Sequence, residues 1–387
     1  MISRALFRKL AAALLVSLAS AGPLVFILAF ATSQIAHCRD QESISVRWKS
    51  PVNQPVCLAM STGGKFCASV DKDGTVRFYN QLGHLLWKQH VEGATDVLVA
   101  RNGQSILVYS KLNPVFQDVY FFRKDGRKLW KHRVEGSVWA GAVSSDGTLA
   151  AVTTGERYVY RYKPDPSRPK YRRWRLDGIG YQVTFTPDNQ RIVAGTWQEP
   201  ALVCYDIEGK FQWRSRHDTD RQYELRTSGD GRRVLGVLPG TQHDPGIEMC
   251  FWDSGGKLLW KRSLDGFDSY ALVSPQSRYV AISYANFLSG EGSDIIERKV
   301  AVYKSDGRLL WEKGGLFFGP RLVALSPTGS SVIVSDGERS LYNIDERGKI
   351  LSKLTLGGTI RKTVSSEDGH RILLYCGDGW LYMMHVG

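Results

Sequence analysis

Short apolar runs alternate with polar turns along most of the chain. The runs are rich in valine, isoleucine, tyrosine and phenylalanine, which favour strands, as in Val76–Tyr79, Tyr158–Tyr162 and Val300–Tyr303. Between pairs of runs lie turns rich in Gly, Asn and Asp, which tolerate the left-handed backbone of a tight hairpin. We find no long stretch with a 3.6-residue period outside the N-terminus. The pattern predicts an all-β region. Its turns lie at residues 61–64, 101–103, 145–147, 187–189, 229–231, 274–276, 327–329 and 367–369.

A recurring motif gives the number of repeats. Five times a turn Gly is followed four residues later by Trp, and three weaker copies fill the gaps. The closing positions are 48, 87, 130, 174, 213, 260, 311 and 352, so consecutive copies are 39 to 51 residues apart. This period is typical of β-propeller blades. Eight turns and eight closing positions predict an eight-bladed propeller. The alternative is seven blades, if the degenerate third repeat is not a blade.

The two ends of the repeat region complement each other. Residues 43–48 form a lone predicted strand, and the last part of the chain supplies three more, at about 358–364, 371–376 and 380–386. Pairing the first strand with these three closes the ring and leaves no long exposed sheet edge. Residues 43–387 are therefore predicted to form one closed propeller.

The N-terminal segment predicts where the propeller lies. Residues 10–36 carry no charge and are long enough for a helix that spans a bilayer. Three basic residues in the segment 1–9 keep that end cytoplasmic, so the propeller, after a linker at 37–42, is predicted to be extracytoplasmic, either periplasmic or at the cell surface. Cleavage after Ala21 or after about residue 33 is the alternative. We favour a retained signal anchor, because a cut after Ala21 leaves an apolar stub.

The distribution of reactive residues predicts no enzyme. The six cysteines and eight histidines show no metal-binding spacing, and no nucleophile elbow, phosphate loop or dinucleotide motif is present. We therefore predict no catalytic residue, no metal site and no cofactor. Cys57 and Cys67 flank one hairpin turn, where they are either close together or two separate buried thiols.

The repeat resembles that of the pyrroloquinoline-quinone-dehydrogenase-like propellers, with Cys204–Trp213 and Trp252–Trp260 as the best copies of its Gly-x-x-x-Trp motif. Hairpins such as Ser145–Gly147 also resemble those of WD-repeat propellers. The resemblance covers about residues 43–387 and implies eight blades. The adjacent Cys pair of the quinoprotein enzymes is missing here, so the chain resembles cofactor-free relatives that act as scaffolds, among them the periplasmic lipoprotein of the outer-membrane-protein assembly machine. The resemblance implies that Trp48, Trp87, Trp130, Trp174, Trp213, Trp260 and Trp311 dock one blade on the next.

Charge adds a candidate contact surface. The net charge is +13, of which three positive charges lie in residues 1–9 and ten in the rest. One basic cluster is predicted at the outer turn of the third blade, on the face from which the first strand enters. The six-residue linker reaches at most about 20 Å, which places that face near the membrane. We predict that the cluster contacts lipid headgroups, an acidic wall polymer or an acidic partner, the alternative being a solvated loop. Its members are Arg161, Lys163, Arg168, Lys170, Arg172, Arg173 and Arg175.

The opposite face carries three long predicted loops, at about 111–118, 238–247 and 284–297. Long loops on a rigid scaffold are common binding sites, whereas nucleic acid is disfavoured by the predicted location. The sequence thus favours a membrane-anchored interaction scaffold or accessory subunit of a membrane complex. The alternatives are a quinone-dependent or other ring-centred enzyme, and a sensor or adhesin that binds a glycan or wall polymer. The candidate loop residues are Phe116, His243, Phe287, Glu291, Asp294 and Glu297.

Overall fold

The computed structural model describes residues 44–163, 169–197, 199, 201–216, 224–241, 243, 245–290, 293–315, 321–326 and 328–387. The predicted N-terminal segment, membrane helix and linker lie outside these residues. Within the part that is described, no helix is long and apolar enough to cross a membrane.

The described residues form thirty-two strands in eight four-stranded antiparallel sheets. In chain order the strands are β1 Ile44–Pro51, β2 Pro55–Met60, β3 Phe66–Asp71, β4 Thr75–Asn80, β5 Leu85–His90, β6 Asp96–Val99, β7 Ser105–Tyr109, β8 Asp118–Arg123, β9 Lys128–Arg133, β10 Val138–Val143, β11 Ala150–Thr154, β12 Tyr158–Lys163, β13 Lys170–Arg175, β14 Ile179–Phe185, β15 Arg191–Trp197, β16 Ala201–Asp206, β17 Phe211–Arg216, β18 Glu224–Thr227, β19 Arg233–Leu238, β20 Ile247–Asp253, β21 Leu258–Leu264, β22 Phe267–Val273, β23 Tyr279–Gly290, β24 Ser293–Lys304, β25 Leu309–Gly314, β26 Arg321–Leu325, β27 Ser331–Ser335, β28 Ser340–Asp345, β29 Ile350–Thr355, β30 Ile360–Ser365, β31 Arg371–Cys376 and β32 Trp380–Val386.

The eight sheets are the blades of a closed propeller. Blade one is β2–β5, and each later blade takes the next four strands, up to blade seven at β26–β29. Blade eight consists of β30, β31, β32 and β1, with Ile44 opposite Val386 and Pro51 opposite Trp380. The innermost strands contact one another around the ring, and β30 contacts β2. The predicted fold and its closure are confirmed. The seven-bladed alternative is wrong, because the third repeat forms a complete blade.

Apolar side chains fill the spaces between neighbouring blades. The second strand of a blade is covered on both sides, so every residue of β7 and of β11 is buried. Val76 of blade one and Ile106 of blade two, for example, belong to one cluster that joins the two sheets. This sheet-on-sheet burial is the main stabilising contribution that holds the ring together.

The motif tryptophan of an outer strand packs on the turn glycine of the next blade. A Cβ atom on Gly83 would lie 2.7 Å from the Trp48 ring, and one on Gly256 would lie 2.5 Å from the Trp213 ring. The Trp48 indole also donates a hydrogen bond of 3.1 Å to the Gln81 carbonyl. The motif therefore joins blades as well as forming turns. The pairs are Trp48–Gly83, Trp87–Gly126, Trp174–Gly209, Trp213–Gly256, Trp260–Gly307 and Trp311–Gly348.

Two positions depart from this rule. Trp130 stacks on Phe121 of its own blade at 5.2 Å and on Tyr162 of the next blade at 4.6 Å. Ser352 precedes blade eight, whose third and fourth strands come from opposite ends of the chain and share no connecting turn. Among the described residues, no turn lies there for an indole at position 352 to pack against.

The ring has two faces that differ in their connections. One face, here the outer-turn face, carries the turns between the first and second and between the third and fourth strands of the blades. Strand β1 begins on it, since Ile44 pairs with the last strand residue, Val386. The other face, here the long-loop face, carries the remaining turns and the connections between blades. One prediction for this face is wrong: most of 284–297 is a strand ladder, because β23 and β24 are 12 residues each.

The cysteines in the described residues are free thiols. Cys57 lies opposite Val70 and Cys67 opposite Met60, and the two side chains belong to different apolar clusters. Burial raises the pKa of Cys57 to about 11 and that of Cys67 further still. Of the two readings of this pair, the structure supports two separate thiols.

Candidate functional site

The central channel is closed on the outer-turn face by Arg101. Its guanidinium donates to the hydroxyl of Thr62 at 3.1 Å and to the carbonyl of Gly229 at 3.0 Å, and it forms an ion pair with Glu367. These partners belong to blades one, five and eight, while Arg101 belongs to the turn of blade two. Contact between blades so far apart requires that the guanidinium lie across the ring centre. The channel is therefore capped at this end.

The cap holds a half-buried acidic group near the ring centre. Burial raises the pKa of Glu367, although the Arg101 charge and a hydrogen bond with Thr62 oppose the shift. The backbone of Glu367 also donates to the Thr62 carbonyl at 3.0 Å. The turns of blades one, two and eight are thus tied together beneath the channel.

The opposite mouth of the channel is lined by the first residues of the inner strands. Trp139 of blade three contacts Tyr181 and Trp197 of blade four, with ring centroids 6.0 and 5.6 Å apart. Next around the ring, Arg226 of blade five lies 3.7 Å from Glu224 and stacks over the Tyr270 ring of blade six at 5.0 Å. Aromatic and charged groups from four blades therefore meet at one opening.

Two carboxyl groups near this mouth have raised pKa values. Burial raises the pKa of Glu224, with Arg226 opposing and Asp268 adding to the shift. Burial likewise raises the pKa of Asp96, which accepts a hydrogen bond of 2.9 Å from the Thr95 hydroxyl. The mouth can offer both hydrogen-bonding carboxyls and aromatic faces to a ligand. Among the described residues there is no group of three or more His, Cys, Asp or Glu that could hold a metal ion.

A long hairpin, here the arm, stands beside the mouth. Its base is the pair Ala285–Arg298, since Ala285 faces the first residue of β22 and the outer strand β25 ends opposite Lys299. Five further pairs extend from Asn286–Glu297 to Gly290–Ser293. At about 3.3 Å per residue, the ladder projects roughly 17 Å beyond its neighbours.

The base of the arm is fixed to the inner strand of its own blade. Phe287 packs on Phe267 with ring centroids 4.9 Å apart, and Arg298 donates to Asp268 at 2.6 Å. Glu297 pairs with Lys299 at 3.5 Å. Ile296 remains 44% exposed. The arm is thus braced at its root and presents an apolar side chain to solvent.

The other predicted loop residues fall into different settings. Phe116 is half-buried and covers the turn glycine Gly93, so it packs within the structure. His243 is exposed. Asp294 pairs through its backbone with Ser289 in the arm. Glu291 lies outside the described residues.

The basic cluster runs along the outer edge of blade three. Lys163 and Lys170 pair at its outer-turn end, and Arg175 pairs with Tyr158 at its long-loop end. The prediction that the whole cluster lies on the outer-turn face is therefore wrong for Arg175. Arg168 lies outside the described residues.

Much of the cluster's charge is paired within the protein. Arg161 is 2% exposed and lies 3.0 Å from Glu208 of blade four, which also binds Arg172 at 3.1 Å and Lys163 at 3.4 Å. Burial tends to raise the pKa of Glu208, but these cations lower it. Arg161 cannot act as a surface contact because its side chain is interior.

Arg173 has a second internal role. It forms an ion pair with Glu135 of the connection into blade three, and its guanidinium lies over the Tyr158 ring at 4.6 Å. Lys170, Arg172, Arg173 and Arg175 are nevertheless exposed. The positive charge that the cluster leaves unpaired at the surface is smaller than its number of basic residues in the sequence suggests.

Comparisons with known proteins place the fold without placing the function. No protein-family model and no curated protein matches the chain. Among solved structures, the Dos1 propeller matches with a TM-score of 0.66 and 14% identity, over 88% of this chain and 95% of that one. The C-terminal WD40 domain of Sif2 matches with a TM-score of 0.65 and 12% identity, over 89% of this chain and 99% of that one. BamB from Moraxella catarrhalis matches with a TM-score of 0.64 and 13% identity, over 89% of this chain and 98% of that one. At these identities the likeness shows the fold alone.

Proposed function

We propose that the protein is a membrane-anchored, extracytoplasmic scaffold that binds a protein partner of a membrane complex through its long-loop face. Propellers of the WD40 and BamB kind often mediate protein–protein interactions. The observation that carries the proposal is the arm, a braced hairpin that extends beyond a rigid ring and exposes Ile296. Recognition elements on rigid scaffolds bind with little ordering cost. The anchor rests on the uncharged segment 10–36.

Shortening the arm tests the partner site. Residues 288–295 are replaced by Asn-Gly, which joins the facing pair Phe287–Ile296 through a two-residue turn and keeps the Phe267 contact. We expect the thermal unfolding temperature to stay unchanged, while the partner cross-linked to the full chain in native membranes falls at least tenfold, the scale of one lost hot spot.

The control for this experiment is Lys65→Gln, an exposed change in the turn between β2 and β3, on the outer-turn face. It should leave recovery of the partner intact. Equal recovery with the wild-type and short arms would contradict the proposal. A lone protein carrying a bound chromophore would instead favour a ring-centred enzyme.

The outer-turn face is proposed to lie against anionic headgroups, because β1 begins there and Lys170 and Arg172 are exposed nearby. In full-length protein reconstituted with phosphatidylglycerol, amide exchange in β13 should be slower than in phosphatidylcholine alone. Lys170→Gln with Arg172→Gln should abolish the difference, since each surface charge contributes about 1 kcal/mol.

A variant with the same net charge, Arg175→Gln with Arg339→Gln, is the control for the lipid effect. Both side chains are exposed and lie towards the long-loop face. Slower exchange in the anionic vesicles should persist in it. Identical exchange in the two lipids for the wild type would exclude a headgroup contact.

A second candidate function is favoured by the aromatic cluster at the mouth. Trp139, Tyr181 and Trp197 offer ring faces of the kind that line ligand sites, next to the carboxyl of Glu224. A glycan or wall polymer would then be the ligand. Binding of soluble wall fragments to the short-arm variant, lost in Trp139→Ala, would support this candidate over a protein partner.

A further inference from the structure

A cationic cleft lies at the seam between blade eight and blade one, on the long-loop face. Its volume is about 390 Å³, within the range of small-molecule sites. Lys72, Arg361 and Lys362 line it, together with Gln54, Tyr375 and Gly377. The lining therefore comes from the two ends of the propeller chain, which meet only because the ring closes.

Backbone contacts define the walls of the cleft. The Lys72 amide donates to the Gln54 carbonyl at 3.1 Å, which fixes the connection between β1 and β2 against a turn of blade one. On the other side, Lys362 lies opposite Tyr375, and a Cβ on Gly377 would lie 3.7 Å from Nε of Arg361. The absence of a side chain at Gly377 leaves room beside that guanidinium.

The three basic side chains of the cleft take no part in the ion pairs of the described residues. Across the ranges that the structure describes, the side chains of Lys72, Arg361 and Lys362 form no ion pair. Carboxyl groups lie close by: Asp378 follows Gly377 and accepts from the Tyr382 hydroxyl at 2.6 Å, and Asp96 accepts from the Thr95 hydroxyl at 2.9 Å. The charge of Lys362 also acts on Asp96, together with that of Lys111.

Like charges held in one cleft repel each other, and an anion between them removes that repulsion. We propose that this cleft binds a small anion with more than one carboxylate or phosphate group, held by Lys72 from blade one and by Arg361 and Lys362 from blade eight. Because the ligand bridges the seam, it binds the closed ring and not the open chain. Binding therefore stabilises the closure.

Thermal unfolding of the full chain with two probes tests the proposal. Sodium citrate represents carboxylates and sodium pyrophosphate represents phosphates, each compared with sodium chloride at equal ionic strength. We expect a saturable rise in the unfolding temperature with at least one probe. A shift with citrate alone assigns the site to carboxylates, and a shift with pyrophosphate alone assigns it to phosphates. A shift with both probes means that the site accepts either group.

Variants of the cleft locate the effect. Arg361→Gln with Lys362→Gln should raise the half-saturating anion concentration about tenfold for each charge removed. The single change Lys72→Gln, on the opposite wall of the cleft, should raise that concentration about tenfold. Without anion, these variants should unfold no earlier than the wild type, because they relieve repulsion. Lys65→Gln with Arg347→Gln, two exposed changes on the outer-turn face, is the matched control.

The proposal is overturned if neither probe gives a saturable shift beyond sodium chloride, or if the cleft variants and the control respond with the same half-saturating concentration. Neither result bears on partner recovery through the arm. The failure of this inference and the failure of the scaffold proposal are therefore distinguishable.

Discussion

Gly256→Ala is expected to lower the free energy of unfolding by about 2–5 kcal/mol, the sum of backbone strain and overpacking. Gly256 has φ +86°, a conformation that costs an L-residue about 1–2 kcal/mol. The added Cβ would also lie 2.5 Å from the Trp213 ring, which the turn of blade five supports. Since the ring is packed on that turn, relief requires blades four and five to separate.

Gly379→Ala is the matched control. Gly379 has φ +87°, and its amide donates to the carbonyl three residues earlier at 3.1 Å, as that of Gly256 does. A Cβ at Gly379 meets nothing within 4 Å in the described residues. The free energy of unfolding of the control should therefore fall only by the cost of backbone strain, about 1–2 kcal/mol.

The difference between the two variants measures the contact between blades. Denaturant midpoints with unchanged slopes give both free energies. Adding Trp213→Leu should recover part of the loss in Gly256→Ala, a coupling that a double-mutant cycle reads directly. Equal losses in Gly256→Ala and Gly379→Ala would show that the glycine serves the turn alone.

The fold could be predicted from the sequence because its signals are local and repeated. Each Gly-x-x-x-Trp copy marks one outer strand, and the spacing counts blades even where a copy is degraded, as at Trp174 and Ser352. Closure of the ring could be predicted because the repeat region begins with one unpaired strand and ends one strand short of a blade. The strand ladder of the arm escaped prediction because polar and small residues in 284–297 resemble those of a loop, while its pairing depends on register.

The candidate sites could not be predicted in the same way, because their members come singly from different blades. Arg101 and Glu367 are 266 residues apart, and each lies in one of the recurring turns, where nothing in the sequence sets it apart from its counterparts. The basic cluster shows the converse: its residues lie within fifteen positions of the chain, but Glu208 and Glu135, which neutralise part of it, lie in other segments. A sequence shows which charges exist, whereas the fold decides which of them remain unpaired.

Arg77→Leu is expected to lower the free energy of unfolding by about 3–5 kcal/mol at pH 8, because it leaves a buried carboxylate without its cation. The Asp71 side chain is fully buried and that of Arg77 is 13% exposed, and the two form an ion pair in blade one. Burial raises the pKa of Asp71, and Arg77 opposes this shift. Removing Arg77 therefore raises that pKa further.

The sign of the pH dependence follows from the raised pKa. A carboxyl whose pKa is higher in the folded than in the unfolded protein binds its proton more strongly when folded, so stability falls as pH rises from the unfolded to the folded pKa. The loss in Arg77→Leu should shrink between pH 8 and pH 5, and Asp71→Asn with Arg77→Leu should show little such change. Arg123→Leu breaks an exposed ion pair with Asp125 and should change the free energy of unfolding little at either pH. A loss in Arg77→Leu that is equal at both pH values would show that packing of the Arg77 stem, and not the buried charge of Asp71, accounts for it.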